Sequence, residues 1–429
     1  METPFRAFGG RHLDQLLRER TNFDGEERLQ AQAVAAVLPF RINQYVLDEL
    51  IDWSAVPNDP IYRLTFPQPG MLVPADLDRM VGLLRSDAAP GEVAAAVHQI
   101  RRRLNPHPAG QLDQNTPYLE GERLSGMQHK YRETLLVFPR QGQTCHAYCS
   151  YCFRWPQFVG DQELKIATDD VATMVNYLHR HPEITSVLIT GGDPLIMRTA
   201  VLRRYLEPLL AIDTVESIRI GTKALSYWPH RVLTDPDAAD LLALFRQVVA
   251  AGKHLAVMGH YSHPRELEPA PAREAVARVL ATGAVIRSQA PMIRGVNDDA
   301  DAWARLWREQ TRLSIVPYYM FMERDTGAQH YFSVPLARAY ELFRTAYQQV
   351  SGLARTVRGP VMSATPGKVC VDGVAEIHGE RVFALRMLQA RDPRLVGRPF
   401  FAQYDPDATW LTDLKPALGA QELLPVPLD

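Results

Sequence analysis

Three of the four cysteines in the chain stand within eight residues, in the stretch Gln143-Thr-Cys-His-Ala-Tyr-Cys-Ser-Tyr-Cys-Phe-Arg154. Cys145, Cys149 and Cys152 are thus spaced CxxxCxxC, and Cys370 is more than 200 positions away. Thiolates are the usual ligands of iron-sulfur clusters, and three on one short loop suit three corners of a four-iron four-sulfur cluster. The fourth iron is then open. Simple electron transfer normally closes that corner with a fourth cysteine, so an open corner points to chemistry on a bound small molecule. A zinc knuckle completed by Cys370 or His146 is the competing reading, although structural zinc sites usually come as two CxxC pairs, which this chain lacks.

Other residues of chemical interest are punctuated along the chain. Gly191-Gly192-Asp193-Pro194 places two glycines where a backbone can approach a ligand closely, and an ordinary turn has the same composition. His260 and His263 are spaced as metal ligands are, and equally as locally hydrogen-bonded loop residues are. Lys223 and Arg294 are candidates for a phosphate or carboxylate, against a solvated charge. Lys368 follows a Pro-Gly turn and precedes a strand-like run, which would hold its amine in place.

These residues need elements to position them. From Thr134 onward, short β-type runs near 134–138, 186–190, 217–221, 254–259, 284–289 and 315–321 alternate with amphipathic helices near 169–180, 200–210, 236–251, 273–282, 299–312 and 334–350. Six βα units predict an α/β fold with a parallel sheet and right-handed crossovers, curled into an incomplete (βα)6 barrel. The cysteine loop, the Gly-Gly-Asp turn, Gly221-Thr-Lys223 and His260 each follow a strand, at the end where such barrels place their chemistry. Residues 1–125 read as a helical accessory region, with apolar spacing over 13–38, 46–53, 74–84 and 88–104 and prolines between. Asn105 to Gly110 reads as a linker. Residues 126–350 form the barrel region, and 351–429 a small C-terminal α+β region, expected to carry oligomer contacts.

Composition fits a soluble enzyme. Hydrophobic residues make up 46% of 429, enough for a full core. With 47 basic and 49 acidic residues, the net charge of −2 offers no field for nucleic acid or an anionic membrane. No apolar run approaches the length of a membrane span or signal segment, and clustered free thiolates need a reducing compartment, so the expectation is cytoplasmic.

With these residues laid out, CxxxCxxC is recognised as the motif of the radical S-adenosylmethionine (SAM) enzymes, and the chain resembles the lysine 2,3-aminomutase family within them. The resemblance runs from Val37 to Val371, through His129-Lys-Tyr131, the cysteines with Phe153-Arg154, Thr190-Gly-Gly-Asp193, Arg219-Ile-Gly221, His260 to Pro264, Ile293-Arg-Gly-Val-Asn-Asp298 and Pro317-Tyr-Tyr319. It implies an amino acid 2,3-aminomutase with a [4Fe-4S] cluster, SAM and pyridoxal 5'-phosphate (PLP), fed by an external electron donor such as flavodoxin or ferredoxin, and expected as a homo-oligomer. It implies that Cys145, Cys149 and Cys152 ligate the cluster, that Gly191, Gly192 and Asp193 approach SAM, that Lys130 and Tyr131 lie near PLP, that Lys368 carries PLP, and that Arg154 pairs with the substrate α-carboxylate. An arginine suits that last role, because its planar fork binds a carboxylate bidentately. SAM would supply the hydrogen-abstracting radical and PLP the carrier of the migrating amino group.

The departures from the family pattern bear on substrate and cofactor. Thr134 stands where the lysine enzymes have an arginine near the PLP phosphate, with Lys130 or Arg132 as the expected replacement. The cysteines that hold a structural zinc in some members are missing, so no zinc is expected. Lysine-specific members hold the distal ammonium with two aspartates; in ungapped register the first falls on Arg324, flanked by Glu323 and Asp325, and the second region offers Ser363 but no acid. A cation at Arg324 disfavours free lysine and favours an acidic or neutral side chain. A radical SAM enzyme without PLP, or a non-catalytic iron-sulfur protein, are the alternative readings.

Overall fold

The computed structural model describes residues 4–105, 114–160 and 166–424. Its largest feature is one eleven-stranded mixed sheet. In chain order the strands are β1 (Met127–Tyr131), β2 (Thr134–Val137), β3 (Ser186–Ile189), β4 (Ser217–Thr222), β5 (His254–His260), β6 (Val285–Met292), β7 (Val316–Met322), β8 (Arg358–Ser363), β9 (Gly367–Ile377), β10 (Glu380–Ala390) and β11 (Pro399–Gln403). Each pairs with its neighbours in sequence, giving the order β11 to β1. Strands β2 to β8 run parallel, whereas β1 and the segment β9 to β11 are antiparallel.

Parallel neighbours require a crossover, and a helix supplies each one: Val171–Arg180, Thr199–Leu210, Ala238–Ala250, Ala270–Leu280, Ala300–Arg312 and Leu336–Gln348. All six strand-helix units expected from the sequence are present, most within a few residues. The strand pattern explains how two surfaces are made at once. On β4, Ile218 and Ile220 are buried in the apolar core, while Ser217, Arg219 and Gly221 take the alternate face and line cavities. Helix starts are fixed by side chains: Asp170 accepts from the Thr173 amide, and Asp299 from those of Asp301 and Ala302.

Two expectations change. The apolar stretch 13–38 is two helices, Leu13–Arg20 and Gly25–Val37, because Asp24 accepts from the Glu27 amide while the Glu27 carboxylate returns to the Asp24 amide, a capping box that starts a new helix. The C-terminal region is not α+β: after Gln348 the described residues hold only short 3-10 turns between strands that prolong the same sheet. The long alternating runs of β9 and β10 meet at His378-Gly379, both at positive φ, the requirement of a two-residue hairpin turn. Apart from Asn105, the expected linker lies outside the described residues.

The N-terminal helices share one apolar core with the cysteine loop, through Ala147, Tyr151 and Trp155 and through Tyr227 and Trp228. Backbone bonds seal that junction. The Tyr148 amide donates to the Arg41 carbonyl and the Ser150 amide to Leu64, both at 2.8 Å. Buried Asn43 donates to the carbonyls of His146 (3.2 Å) and Tyr227 (2.9 Å). The accessory region therefore acts as the wall that shapes the cysteine loop.

Candidate active site

Cys145, Cys149 and Cys152 line one cavity of about 280 Å3. Its other walls come from the carboxyl ends of the parallel strands: Thr190 after β3, Thr222 on β4, His260 on β5, Pro291 on β6, Met322 on β7 and Ser363 on β8. This is the end at which the sequence places the chemistry. Burial pushes all three thiols above the ordinary range, Cys152 to about 12, with Asp193 adding to it at Cys145, Glu266 at Cys149 and the Cys149 thiol at Cys152. Thiolates in this setting require a bound cation. Three thiols on one wall suit the separate corners of an iron-sulfur cluster.

Gly191, Gly192 and Asp193 line the same cavity. A Cβ on Gly192 would run into the Thr144 backbone, so this residue is glycine because the Gly-Gly-Asp turn packs directly on the cysteine loop. The Asp193 amide completes the junction, donating to the carbonyl of Thr144 at 2.7 Å. The Asp193 carboxylate is buried and fully engaged. It accepts from Thr222 Oγ1 (2.7 and 2.9 Å), the Lys223 amide (2.8 Å) and the Leu195 amide (2.9 Å). It joins the ends of β3 and β4 rather than offering oxygens to the cavity.

The cavity also receives Arg154, Arg324 and Glu323. The Arg154 guanidinium stacks on Phe138 (4.3 Å) and Phe153 (5.3 Å), and Arg324 lies over the same Phe153 ring at 5.2 Å. Burial lowers both arginines, Arg154 to about 10. Glu323, 4% exposed, has no partner on either oxygen, and Arg154 Nη1 and Arg324 Nε are likewise buried without acceptors. Burial holds the Glu323 carboxyl well above the usual range, the neighbouring Asp325 adding to it. Two arginines, Arg324 with Asp325 at 3.9 Å, and a carboxyl with neither oxygen bonded describe a wall prepared for a polar ligand.

Lys368 opens β9, directly across from Ser363 on β8 and Gln389 on β10. Its amine donates to Gln389 Oε1 (2.5 Å) and lies over the rings of Tyr319 (4.9 Å) and Tyr131 (5.4 Å). Burial, with the charges of Arg219, Arg358 and Lys130, lowers its pKa to about 7. Lys130 is lowered to about 7 as well, chiefly by burial, and donates to the Ala364 carbonyl. Neither lysine lines the cysteine cavity; Ser363 is the link between Lys368 and that wall. Arg132 is exposed.

The remaining candidates resolve locally. The Lys223 ammonium pairs with Glu266 at 2.7 Å. Arg294 is exposed. His260 is neutral, burial lowering it to about 3, and His263 Nδ1 accepts from the Arg265 amide. Cys370 is buried on β9, away from the cavity. Sequence reasoning gives no role to Gln389 or Arg358, and quotes Tyr319 only within the Pro317-Tyr-Tyr319 motif; their importance comes from cross-strand neighbours that no local pattern reveals. It weighed Glu323 only as a neighbour of Arg324.

No family model matches the chain. A protein of Aquifex aeolicus, provisionally named an L-lysine 2,3-aminomutase, is 34% identical over 388 residues, 90% of this chain and 91% of that protein. The chain belongs to the lysine 2,3-aminomutase family. More distant members include the L-lysine 2,3-aminomutase of Clostridium subterminale, 25% identical over 53% of this chain and 51% of that one. The glutamate 2,3-aminomutase of Clostridioides difficile is 26% identical over 49% of this chain and 47% of its own length. Solved structures with some likeness are a radical SAM methyltransferase from Sphaerobacter thermophilus (18% identity, TM-score 0.37, 52% of this chain and 65% of that chain) and Streptococcus suis SuiB (13%, 0.38, 66% and 59%).

Membership of the lysine 2,3-aminomutase family makes the chain an isomerase of the aminomutase class, with a four-iron cluster, SAM and PLP as the family's cofactors. The residues present fit that set. Three thiols share one wall, Gly191 and Gly192 leave bare backbone beside them, and Lys368 offers a near-neutral amine between two aromatic rings. Among the described residues no helix is long and apolar enough to cross a membrane.

Proposed function

We propose that this chain is a PLP-dependent radical SAM 2,3-aminomutase, built on a partial (βα)6 barrel, whose substrate is an α-amino acid other than free lysine. The observation that carries the reading is one cavity shared by the cysteine triad and the buried polar groups of Arg154, Arg324 and Glu323, with the register partner of Lys368 on its wall. When bound, the cofactors supply a hydrogen-abstracting radical and a carrier for the amino group.

The residues divide the remaining work. Cys145, Cys149 and Cys152 hold the cluster. Lys368, near neutrality at about 7, presents an unprotonated amine at physiological pH. Arg154, pinned between two phenylalanine rings, holds the substrate α-carboxylate. Arg324 faces the distal end, where its charge repels an ammonium and suits a carboxylate, and the Glu323 carboxyl beside it, whose pKa burial raises, can hydrogen-bond a polar side chain. Aromatic and apolar walls exclude water from the reacting centre. The same reading brings a cytoplasmic, reducing setting, an external donor of flavodoxin or ferredoxin type, and a homo-oligomer.

The test is amino acid analysis after anaerobic turnover of the reconstituted enzyme with glutamate, aspartate, glutamine, alanine and lysine. A β-amino acid formed from a member other than lysine supports the reading. Reductive SAM cleavage without any β-amino acid, and without PLP retained after borohydride treatment, would replace it with a PLP-independent radical reaction.

A further inference from the structure

Arg154 and Arg324 reach the same cavity from two different loops, Arg154 from the end of the cysteine loop and Arg324 from just beyond β7. Both guanidinium groups lie on the ring of Phe153, at 5.3 and 5.2 Å from its centroid. Neither arginine belongs to a strand or helix, so regular pairing does not set where the two charges stand. The residues beside them do. Trp155 follows Arg154, Thr326 lies just past Arg324, and Trp155 Nε1 donates to Thr326 Oγ1 at 3.2 Å. Both side chains are buried, and neither lines the cavity.

A third element closes this joint. Helix Pro90–Leu104 of the accessory region ends beside it, and the last carbonyls of a helix have no partner within the helix. Here the Leu104 carbonyl accepts from the Thr326 hydroxyl at 3.2 Å and from the Gly327 amide at 2.7 Å. Thr326 Oγ1 therefore accepts from the tryptophan and gives its proton to the helix end, with Asn105 Oδ1 a further acceptor at 3.4 Å. Gly327 stands at a φ of +69°, and a Cβ there would sit 3.2 Å from the Trp155 indole, so the loop turns tightly against the ring. Within the turn, the Thr326 amide donates to the Arg324 carbonyl at 2.8 Å, which ties the backbone of the arginine itself to the joint.

A buried hydroxyl that serves two neighbours is costly to remove, because the groups it served are left unbonded. The joint thus resists movement of one arginine relative to the other. A cavity that grips a substrate at both ends discriminates by length, and one methylene too many or too few is worth roughly tenfold to two-hundredfold in kcat/KM. We propose that Trp155 and Thr326, clamped on the Leu104 carbonyl, are positioning residues that fix the span between Arg154 and Arg324 and so set the length of acidic side chain the enzyme accepts. The inference rests on the function proposed above. It adds a determinant of specificity that lies outside the cavity and is carried in part by the accessory region.

The experiment measures kcat and KM for glutamate and aspartate, which differ by one methylene, on the full-length reconstituted enzyme and on Thr326→Val, Thr326→Ser and Trp155→Phe. Wild type should separate the two acids by about tenfold or more in kcat/KM. Thr326→Val and Trp155→Phe should bring that ratio close to one, through a KM that rises for the better substrate more than its kcat falls. Thr326→Ser, which keeps the hydroxyl, should restore the ratio. Iron per chain in Thr326→Val should stay at the wild-type level, which separates a displaced arginine from a failed fold. A wild type that treats the two acids alike, a ratio that survives in both Thr326→Val and Trp155→Phe, or a loss in Thr326→Ser equal to that in Thr326→Val would overturn the assignment while leaving the aminomutase reading intact. If neither acid is turned over, the reading of Arg324 as partner of an acidic side chain fails, and hydrogen exchange at the Gly327 amide decides the joint alone. Protection that Thr326→Val removes and Thr326→Ser keeps upholds the joint, and equal exchange in wild type and Thr326→Val removes it.

Discussion

Lys368 and Arg358 share the ring of Tyr319, the amine nitrogen 4.9 Å and the guanidinium carbon 4.2 Å from its centroid. Burial disfavours the protonated amine, and the charges of Arg219 and of Arg358 disfavour it further, which lowers its pKa to about 7. The proton is therefore held below pH 7 and released above it. Attachment of pyridoxal to Lys368, trapped with borohydride and located by mass spectrometry, should fall about tenfold per pH unit below 7 and level off above it. Arg358→Gln should move the midpoint upward. A midpoint near that of an ordinary lysine, or an adduct on another residue, would contradict this.

Cys145, Cys149 and Cys152 share a cavity wall, whereas Cys370 sits buried on β9. Replacing any of the three with Ala should reduce cluster iron and its visible absorption to background. Cys370→Ala should keep both near wild type. Equal loss in all four would mean that the fourth cysteine belongs to the site.

The side-chain specificity of the cavity should follow Arg324 and not Asp325, because Arg324 lines the wall and Asp325 does not. Arg324→Asp exchanges repulsion of an ammonium for attraction. The ratio of kcat/KM for lysine over glutamate should rise on the order of a hundredfold. Asp325→Ala should leave the ratio within a few fold. Wild type that prefers lysine and loses it in Asp325→Ala would reverse the assignment.

Gly192→Ala tests the junction between the Gly-Gly-Asp turn and the cysteine loop. The added methyl meets the Thr144 backbone, which must shift. A cost of about 1–3 kcal/mol should lower Tm by about 1–3 degrees in a chain of this length. Iron per chain after reconstitution should fall with it. An unchanged melting curve and full iron would show that the two loops are not interlocked.

Much of this architecture was legible because period-2 and period-3.6 patterns are local. The six strands from Thr134 to Phe321 and their crossover helices follow from apolar spacing, and the cysteines from spacing alone. What was missed depends on pairing across the sheet. Gln389 is ordinary in sequence and matters because register puts it opposite Lys368. Arg219 and Arg358 lie more than a hundred residues apart and meet only because β4 and β8 belong to one parallel set. The break at Asp24 carries a visible signal, an Asp with a Glu three residues later, inside an otherwise continuous apolar pattern. Glu323 could not be ranked above Asp325 without knowing which side chain the end of β7 turns inward.

The turn from β8 into β9 has a consequence for how such chains can diverge. Lys368 faces the interior because Ser363 and Lys368 are register partners across a short connection, and side chains alternate faces along each strand. One codon inserted between them would swing the lysine to the helix side, while two would restore its face at a new depth. This connection therefore counts residues in steps of two. Length variants here should be sparse among functional descendants, and a chain carrying an odd insertion should keep its cluster while losing its reactive amine.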